Sequence, residues 1–343
     1  MASADKKAGW QNSVSQKKTE KISSIKKYPI LWKLGISILT VALIVYGITV
    51  YWSIEPAEFD VVEFSLKRAD KTNAEKLATG YVFANTLAHI SETLLEKNGG
   101  FLSNDIFPGG IIDNMPAWEF GALVMLRDGA SALRNHFARS QSQSKENAQL
   151  SQAEPFFYYN HTSWALPSTE DEYKKGTDNL LLYLRDLNNP DAHNAHFFSR
   201  ADNLDQYLQV ILKRLGDYSY RLSASSVSKQ SYDLASNKVS VTKTPWMEVD
   251  DVFWEARGAT WALLHLFKSI EADFDTTLRG KGAKATLRQI IHELEDAQVA
   301  ILSPVILNGD GFGLFANYSL TMANHIARAN AATLDLRELM LRG

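Results

Sequence analysis

The chain reads as an all-α protein, a single N-terminal transmembrane helix followed by a helical-bundle domain of about seven helices. Two observations predict this. Residues Leu34 to Trp52 (LGISILTVALIVYGITVYW) run nineteen positions without a charge. Past residue 70, apolar residues recur at helical spacing almost throughout, and strand-like alternation is scarce.

A helix rises about 1.5 Å per residue, so the apolar run spans roughly 28 Å, close to the hydrocarbon thickness of a bilayer. Eight lysines precede it (Lys6, Lys7, Lys17, Lys18, Lys21, Lys26, Lys27 and Lys33) against Asp5 and Glu20. Basic residues beside a span keep that flank cytoplasmic, which predicts an inside N-terminus and an outside bulk. Trp32, Tyr46, Tyr51 and Trp52 lie near the ends of the run, where aromatic rings favour the headgroups. A cleaved signal peptide fits poorly: the apolar core is too long, and Ser53-Ile54-Glu55-Pro56 is no small-x-small site. The expected organisation is a basic disordered tail over 1–33, the transmembrane helix over 34–52, a juxtamembrane connector over 53–70 and an all-α domain over 71–343.

Of 36 basic and 39 acidic residues, the first 52 positions hold eight and two, leaving 28 and 37 beyond the anchor, a net charge of −9. An acidic surface argues against a nucleic-acid partner, because phosphate contacts need basic groups. There is no cysteine. An exported domain of this size builds a sufficient core without disulfides. A bacterial inner-membrane protein with a periplasmic domain fits best.

Along the domain, a short strand is expected at Phe59 to Leu66. Thr72 with Glu75 reads as a capping box for a helix carrying Leu77, Tyr81, Ala84, Ala88, Ser91 and Leu95, closed by Gly99-Gly100. Asn114 is placed to cap a second helix from Pro116 toward Arg139, and residues 140–155 read as a polar loop. Thr169 with Glu172 opens a helix to Leu187. Leu204, Tyr207, Leu208, Ile211, Leu212, Leu215 and Tyr218 form the clearest amphipathic stripe. Residues 223–243 read as a loop with a hairpin around Asn237. Thr244-Pro245 is placed to start a helix to Phe274, and Leu287, Ile290, Ile291, Leu294, Ala297 and Ile301 define the next. A last helix runs from Ala316 to Leu341.

Several strings are distinctive together: Asp113-Asn114-Met115-Pro116-Ala117-Trp118-Glu119-Phe120-Gly121, Ser163-Trp164-Ala165-Leu166-Pro167-Ser168, Arg200-Ala201-Asp202-Asn203-Leu204 and Asp250-Asp251-Val252-Phe253-Trp254-Glu255-Ala256-Arg257-Gly258. With Ile306-Leu307-Asn308-Gly309 and Arg328-Ala329-Asn330-Ala331-Ala332, they make the chain resemble a family of single-pass inner-membrane proteins of Gram-negative bacteria, known as a domain of unknown function. The resemblance spans nearly everything past the anchor and implies an inner-membrane location. It brings no catalytic residues.

Candidate chemistry concentrates at two helix starts. Asp113, Asn114, Trp118 and Glu119 open one, and Glu248, Asp250, Asp251, Glu255 and Arg257 open the other. Such a set would bind a cation or a sugar, with Trp118, Trp246 and Trp254 as stacking surfaces. Its plainer meaning is helix-dipole chemistry, where first-turn acids contribute about 0.3–1 kcal/mol each; there Arg257 forms a buried ion pair. Glu119 and Glu255 are the pair that glycoside cleavage would require, at a carboxyl separation of about 5–9.5 Å. His89/Glu92 and His292/Glu295 each share a helix face, but the lone glutamates of a di-iron bundle are not evident. No metal and no cofactor is expected. His265 lies in an apolar run (WALLHLF), where a hydrogen-bonded core histidine is the default. Asn308 to Gly313 lacks the ligand pattern of a calcium or phosphate loop.

The leading expectation is a non-enzymatic interaction or scaffold component of the bacterial envelope. It would contact the bilayer through its anchor and an envelope protein, or a second copy, through its domain. The alternative is a membrane-tethered hydrolase of cell-wall glycan acting through Glu119 and Glu255.

Overall fold

Helix α1, Pro29–Trp52, is the apolar segment as a folded element. Its stretch Trp32–Trp52 is 21 residues long with no part buried against protein, long and apolar enough to cross a membrane. The hydroxyls of Thr40, Thr49 and Ser53 each donate back to the carbonyl four residues earlier, so these polar side chains are satisfied within the helix. The computed structural model describes residues 29–74, 77–105, 114–139, 146–224, 229–233, 238–242, 244–245, 248–301, 306–309 and 316–342. The chain divides into two compact units, Met1–Ile54 and Glu55–Gly343. The predicted tail disorder, Glu75, Asp113, Trp246, the turn at Asn237 and positions 310–313 lie outside the described residues.

In the second unit the described elements are α2 (Val61–Arg68), α3 (Tyr81–Glu96), α4 (Asn114–Ala132), α5 (Ala148–Phe157), α6 (Thr169–Leu187), α7 (Ala201–Ala224), the antiparallel hairpin β1 (Lys229–Asp233) and β2 (Lys238–Thr242), α8 (Val249–Asp273), α9 (Asp275–Gly280), α10 (Lys284–Asp296) and α11 (Tyr318–Leu341). The all-α reading holds, with the hairpin as a small addition. All seven expected helices of the domain are present, and α2, α5 and α9 are further ones.

Helix α8 is the axis of the bundle. From Ala256 to Phe267 every residue is buried, the pattern of a helix packed on all sides. It crosses α4 backbone to backbone. A Cβ on Gly121 would stand 1.9 Å from the Glu255 carbonyl oxygen, and one on Gly258 1.9 Å from that of Trp118. Helices α7 and α11 pair on one side, α5 and α6 on another, and α10 joins α8 to α11.

Local chemistry moves several predicted boundaries. Where a strand is expected over Phe59 to Leu66, the chain turns into helix from Val61, because Asp60 Oδ1 accepts the amides of Val62 and Glu63 as an N-cap. Thr72 does not start α3. That helix begins at Tyr81, where the Asp273 carboxylate accepts the amides of Gly80 (2.8 Å) and Phe83 (2.7 Å) from across the fold. Gly80 sits at φ 85° against Phe197, which leaves no room for a Cβ. Residues 148–157, expected as loop, form α5: Asn147 caps it, and Leu150, Ala153 and Phe157 face the core. Ser168 rather than Thr169 caps α6. Asn114 is the first described residue of α4, and α8 starts at Val249 rather than at Pro245.

Candidate functional site

The two predicted segments touch where Trp118 and Gly121 of α4 meet Glu255 and Gly258 of α8, and the surroundings of that crossing are packed and charge-paired. Trp118 is fully buried and lies against Trp261, with ring centroids 5.1 Å apart, so it offers no stacking face to a sugar. Trp254 packs edge-on against Phe253. Asp250 and Asp251 occupy the first turn of α8, where acids suit the helix dipole. Asn114 Oδ1 and the indole nitrogens of Trp118, Trp254 and Trp261 are buried with no hydrogen-bond partner.

Glu119 is saturated. Its carboxylate receives Lys97 Nζ at 2.6 Å, the amides of Leu102 and Ser103 at 2.8 Å, and Ser103 Oγ at 2.5 Å. Burial pushes the Glu119 carboxyl above its usual range, and Lys97, Ser103 and the Leu102 amide offset only part of that rise. Lys97 Nζ also donates to the Gly100 carbonyl, so the pair fastens the loop after α3 onto α4. Glu255 is held bidentately by Arg221 at 2.8 and 2.5 Å, which drives that guanidinium further into its charged form. Neither carboxylate has the free, accessible oxygen that the glycan-hydrolase alternative requires, and that alternative is set aside.

Arg257 pairs with a partner that local spacing did not indicate. Its Nε donates to Glu55 at 2.7 Å, and its two terminal nitrogens donate to the carbonyls of Ala297, Gln298 and Val299 at 3.0–3.1 Å. One guanidinium therefore caps the C-terminus of α10 and grips the connector just beyond α1. Two further groups of α8 hold the same connector. Lys268 Nζ stands 3.4 Å from Glu58, and the Phe59 amide donates to His265 Nε2 at 3.1 Å. His265 Nδ1 lies 2.7 Å from the Trp261 carbonyl, which only accepts, so Nδ1 carries the proton and Nε2 is the free acceptor. The Phe59 ring stacks on His265 at 4.0 Å and meets His89 edge-on at 4.4 Å. Burial holds the imidazole pKa down to about 3, so the ring is neutral, a core histidine as its apolar run predicts. This row of Arg257, His265 and Lys268 along α8 is the feature that sequence reasoning missed.

Glu92 of the first histidine–glutamate pair is gripped by Arg68, with His89 at 3.4 Å. Burial would raise the Glu92 carboxyl, but the His89 and Arg68 contacts bring it below its usual range. The second pair does not form as read. His292 faces Asp296 at 3.8 Å, while Glu295 turns to Lys268 at 2.8 Å. A cavity of about 590 Å³ opens where α2, α3 and α6 converge, lined by Arg68, Tyr81, Leu181, Leu184, Arg185 and Asn188. It contains none of the predicted site residues. Its arginines are engaged with Glu92 and Asp186 at the C-terminal ends of α2 and α6, where cations offset the helix dipoles.

Residues 25–343 match the family model described as an uncharacterized protein conserved in bacteria (DUF2333). No curated protein and no solved structure matches the chain. The two strings that set its resemblance apart, ending in Gly121 and Gly258, are the strings that make the α4–α8 crossing. With nearly all of its length matched, the chain belongs to the DUF2333 family of bacterial proteins.

Proposed function

We propose that the protein is a membrane-anchored, non-enzymatic interaction component of the bacterial cell envelope, with α1 crossing the inner membrane and the helical domain in the periplasm. The observation that carries this reading is the connector. The segment that follows the apolar helix is fixed to the central helix of the domain through Glu55–Arg257, Glu58–Lys268 and Phe59–His265. A connector that served only as a flexible tether would need no such attachment. The eight lysines before Leu34 support the orientation. The engagement of Glu119 by Lys97 and of Glu255 by Arg221 speaks against these two carboxylates as a glycan-cleaving pair.

A partner-facing feature fits the same reading. Trp164 is 67% exposed and Leu166 99% exposed on the loop before α6. That loop is stiffened by bonds from Thr169 and Asn104 to the Ser163 carbonyl, and from Ser163 Oγ to the Pro167 carbonyl. A fixed apolar tip beside the acidic first turn Glu170–Asp171–Glu172 suits an apolar pocket with a basic rim.

The reading predicts retention in membranes after carbonate washing and a domain reachable by protease only once the outer membrane is opened. Crosslinking in cells is expected to capture a protein neighbour that Trp164→Ser loses while the fold is kept. A domain facing the cytoplasm, or the absence of any crosslinked neighbour, would count against it.

A further inference from the structure

We propose that α10 and α11 carry a divalent transition-metal site of the zinc type, built from Glu293, Asp296 and His325 with His292 as a fourth ligand. One donor atom from each of the first three residues lies within 4.8 Å of the other two. Glu293 Oε2 stands 3.1 Å from His325 Nδ1, His325 Nδ1 3.9 Å from Asp296 Oδ2, and Asp296 Oδ2 3.8 Å from His292 Nε2. Ligands at about 2.0–2.1 Å from a tetrahedral zinc ion stand roughly 3.3–3.4 Å apart; the Glu293–His325 pair is already near that spacing, and Asp296 and the exposed His292, which lies outside the three-residue cluster, would draw in to reach it.

The chemistry of the set points the same way. Two imidazoles with two carboxylates suit zinc or its neighbours, and not magnesium or calcium, which take oxygen ligands. Glu293 is 1% exposed, and its other oxygen, Oε1, is fixed by Arg328 at 2.5 Å. A guanidinium on the far oxygen of a buried carboxylate orients the near oxygen, as the supporting groups of metal ligands do. Two carboxylates face one arginine in the cluster, an excess of negative groups that suits a cation. His292 and Asp296 stand on one face of α10 at a spacing of four, and His325 comes from α11, so a bound ion would staple the C-terminal helix to the bundle.

The competing account is a histidine–carboxylate ion pair with no metal affinity. The test uses the untagged full chain in detergent, stripped with chelator, with zinc chloride titrated by calorimetry and thermal unfolding followed in parallel. The expected result is about one zinc per chain, a rise of several degrees in unfolding temperature, and no response to magnesium. His325→Ala should weaken binding at least tenfold and abolish the thermal rise, since loss of one ligand costs about as much as loss of a supporting group or more. His292→Ala and Asp296→Asn alter an exposed and a part-exposed side chain, should leave the fold intact by circular dichroism, and should each weaken binding about tenfold. His193→Ala, an exposed histidine elsewhere, should leave binding unchanged. Absence of binding at submillimolar zinc, or the same affinity in His292→Ala and Asp296→Asn as in the parent chain, would overturn the proposal.

Discussion

Two regions of the domain bury charge, and they do so in opposite ways. At Glu119, four donors converge on one carboxylate, and both the acid and Lys97 are sealed from water, with 0% and 3% of their side chains exposed. Along α8, Arg257 and Lys268 each donate to one carboxylate of the connector and His265 accepts from its Phe59 amide, and Glu55 and Glu58 stay 24% and 43% exposed. The first is closed and all-or-none. The second is a row of separate contacts whose partners lie next to α1 in sequence. The difference separates a part that keeps the bundle folded from a part that can be loosened while the bundle survives.

The largest effect should come from breaking the closed region. Glu119→Ala strips Lys97 of its counterion and leaves the Leu102 and Ser103 amides without an acceptor. A loss of about 3–5 kcal/mol is expected, because an uncompensated buried charge remains. Chemical denaturation of the purified protein would measure it, and a loss under about 1 kcal/mol would show that water reaches the site.

A smaller and pH-dependent effect should come from the row. Burial depresses the His265 pKa from 6.5 to about 3, so the folded state favours the neutral ring. Its contribution is complete above the unfolded value of 6.5 and drains as pH falls toward 3. The slope is about 1.4 kcal/mol per pH unit, or about 2 kcal/mol between pH 6.5 and 5. His265→Gln removes the titrating proton and keeps an acceptor for the Phe59 amide. Its stability at neutral pH should be lower, and its decline with acid flatter than in the parent chain. Parallel slopes in the two proteins would place the acid sensitivity elsewhere.

The contrast also explains what was legible in the sequence. Fold class and helix order follow from spacing alone, as in the Leu204 to Tyr218 stripe, whose members are buried except for a half-buried Leu212. Helix α5 escaped because its polar Ser/Gln context hid the signal that was there, Asn147 followed by Leu150, Ala153 and Phe157. At the candidate site the residues were found and their relations were not. Glu119 and Arg257 stood out, but the Arg257 partner lies 202 positions away in sequence, and no local pattern encodes such a pairing. His292 was read with Glu295 at a spacing of three, whereas the side chain leans to Asp296 at four and Glu295 is drawn off by Lys268 of α8. Periodicity reports which face a residue occupies, and charge pairing is decided by what the fold brings to that face.

The finest test of the comparison is Glu55→Gln. Arg257 keeps its three carbonyl acceptors at the end of α10 after this change, and the glutamine amide oxygen can still accept from Nε, so the guanidinium loses its counterion but not its hydrogen bonds. The global cost should therefore be small, about 1 kcal/mol, that of one charge-assisted bond weakened at a half-exposed position. The local cost should be larger. The connector would be left with Glu58–Lys268, which is partly solvated, and the Phe59–His265 contact, so residues 55–60 should lose hydrogen-exchange protection while α4 and α8 keep theirs. Unchanged protection at 55–60 would mean that stacking of Phe59 on His265 fixes the connector and the ion pairs only decorate it. Loss of protection along α8 as well would mean that connector and core open as one unit, and the two regions would then differ in strength alone.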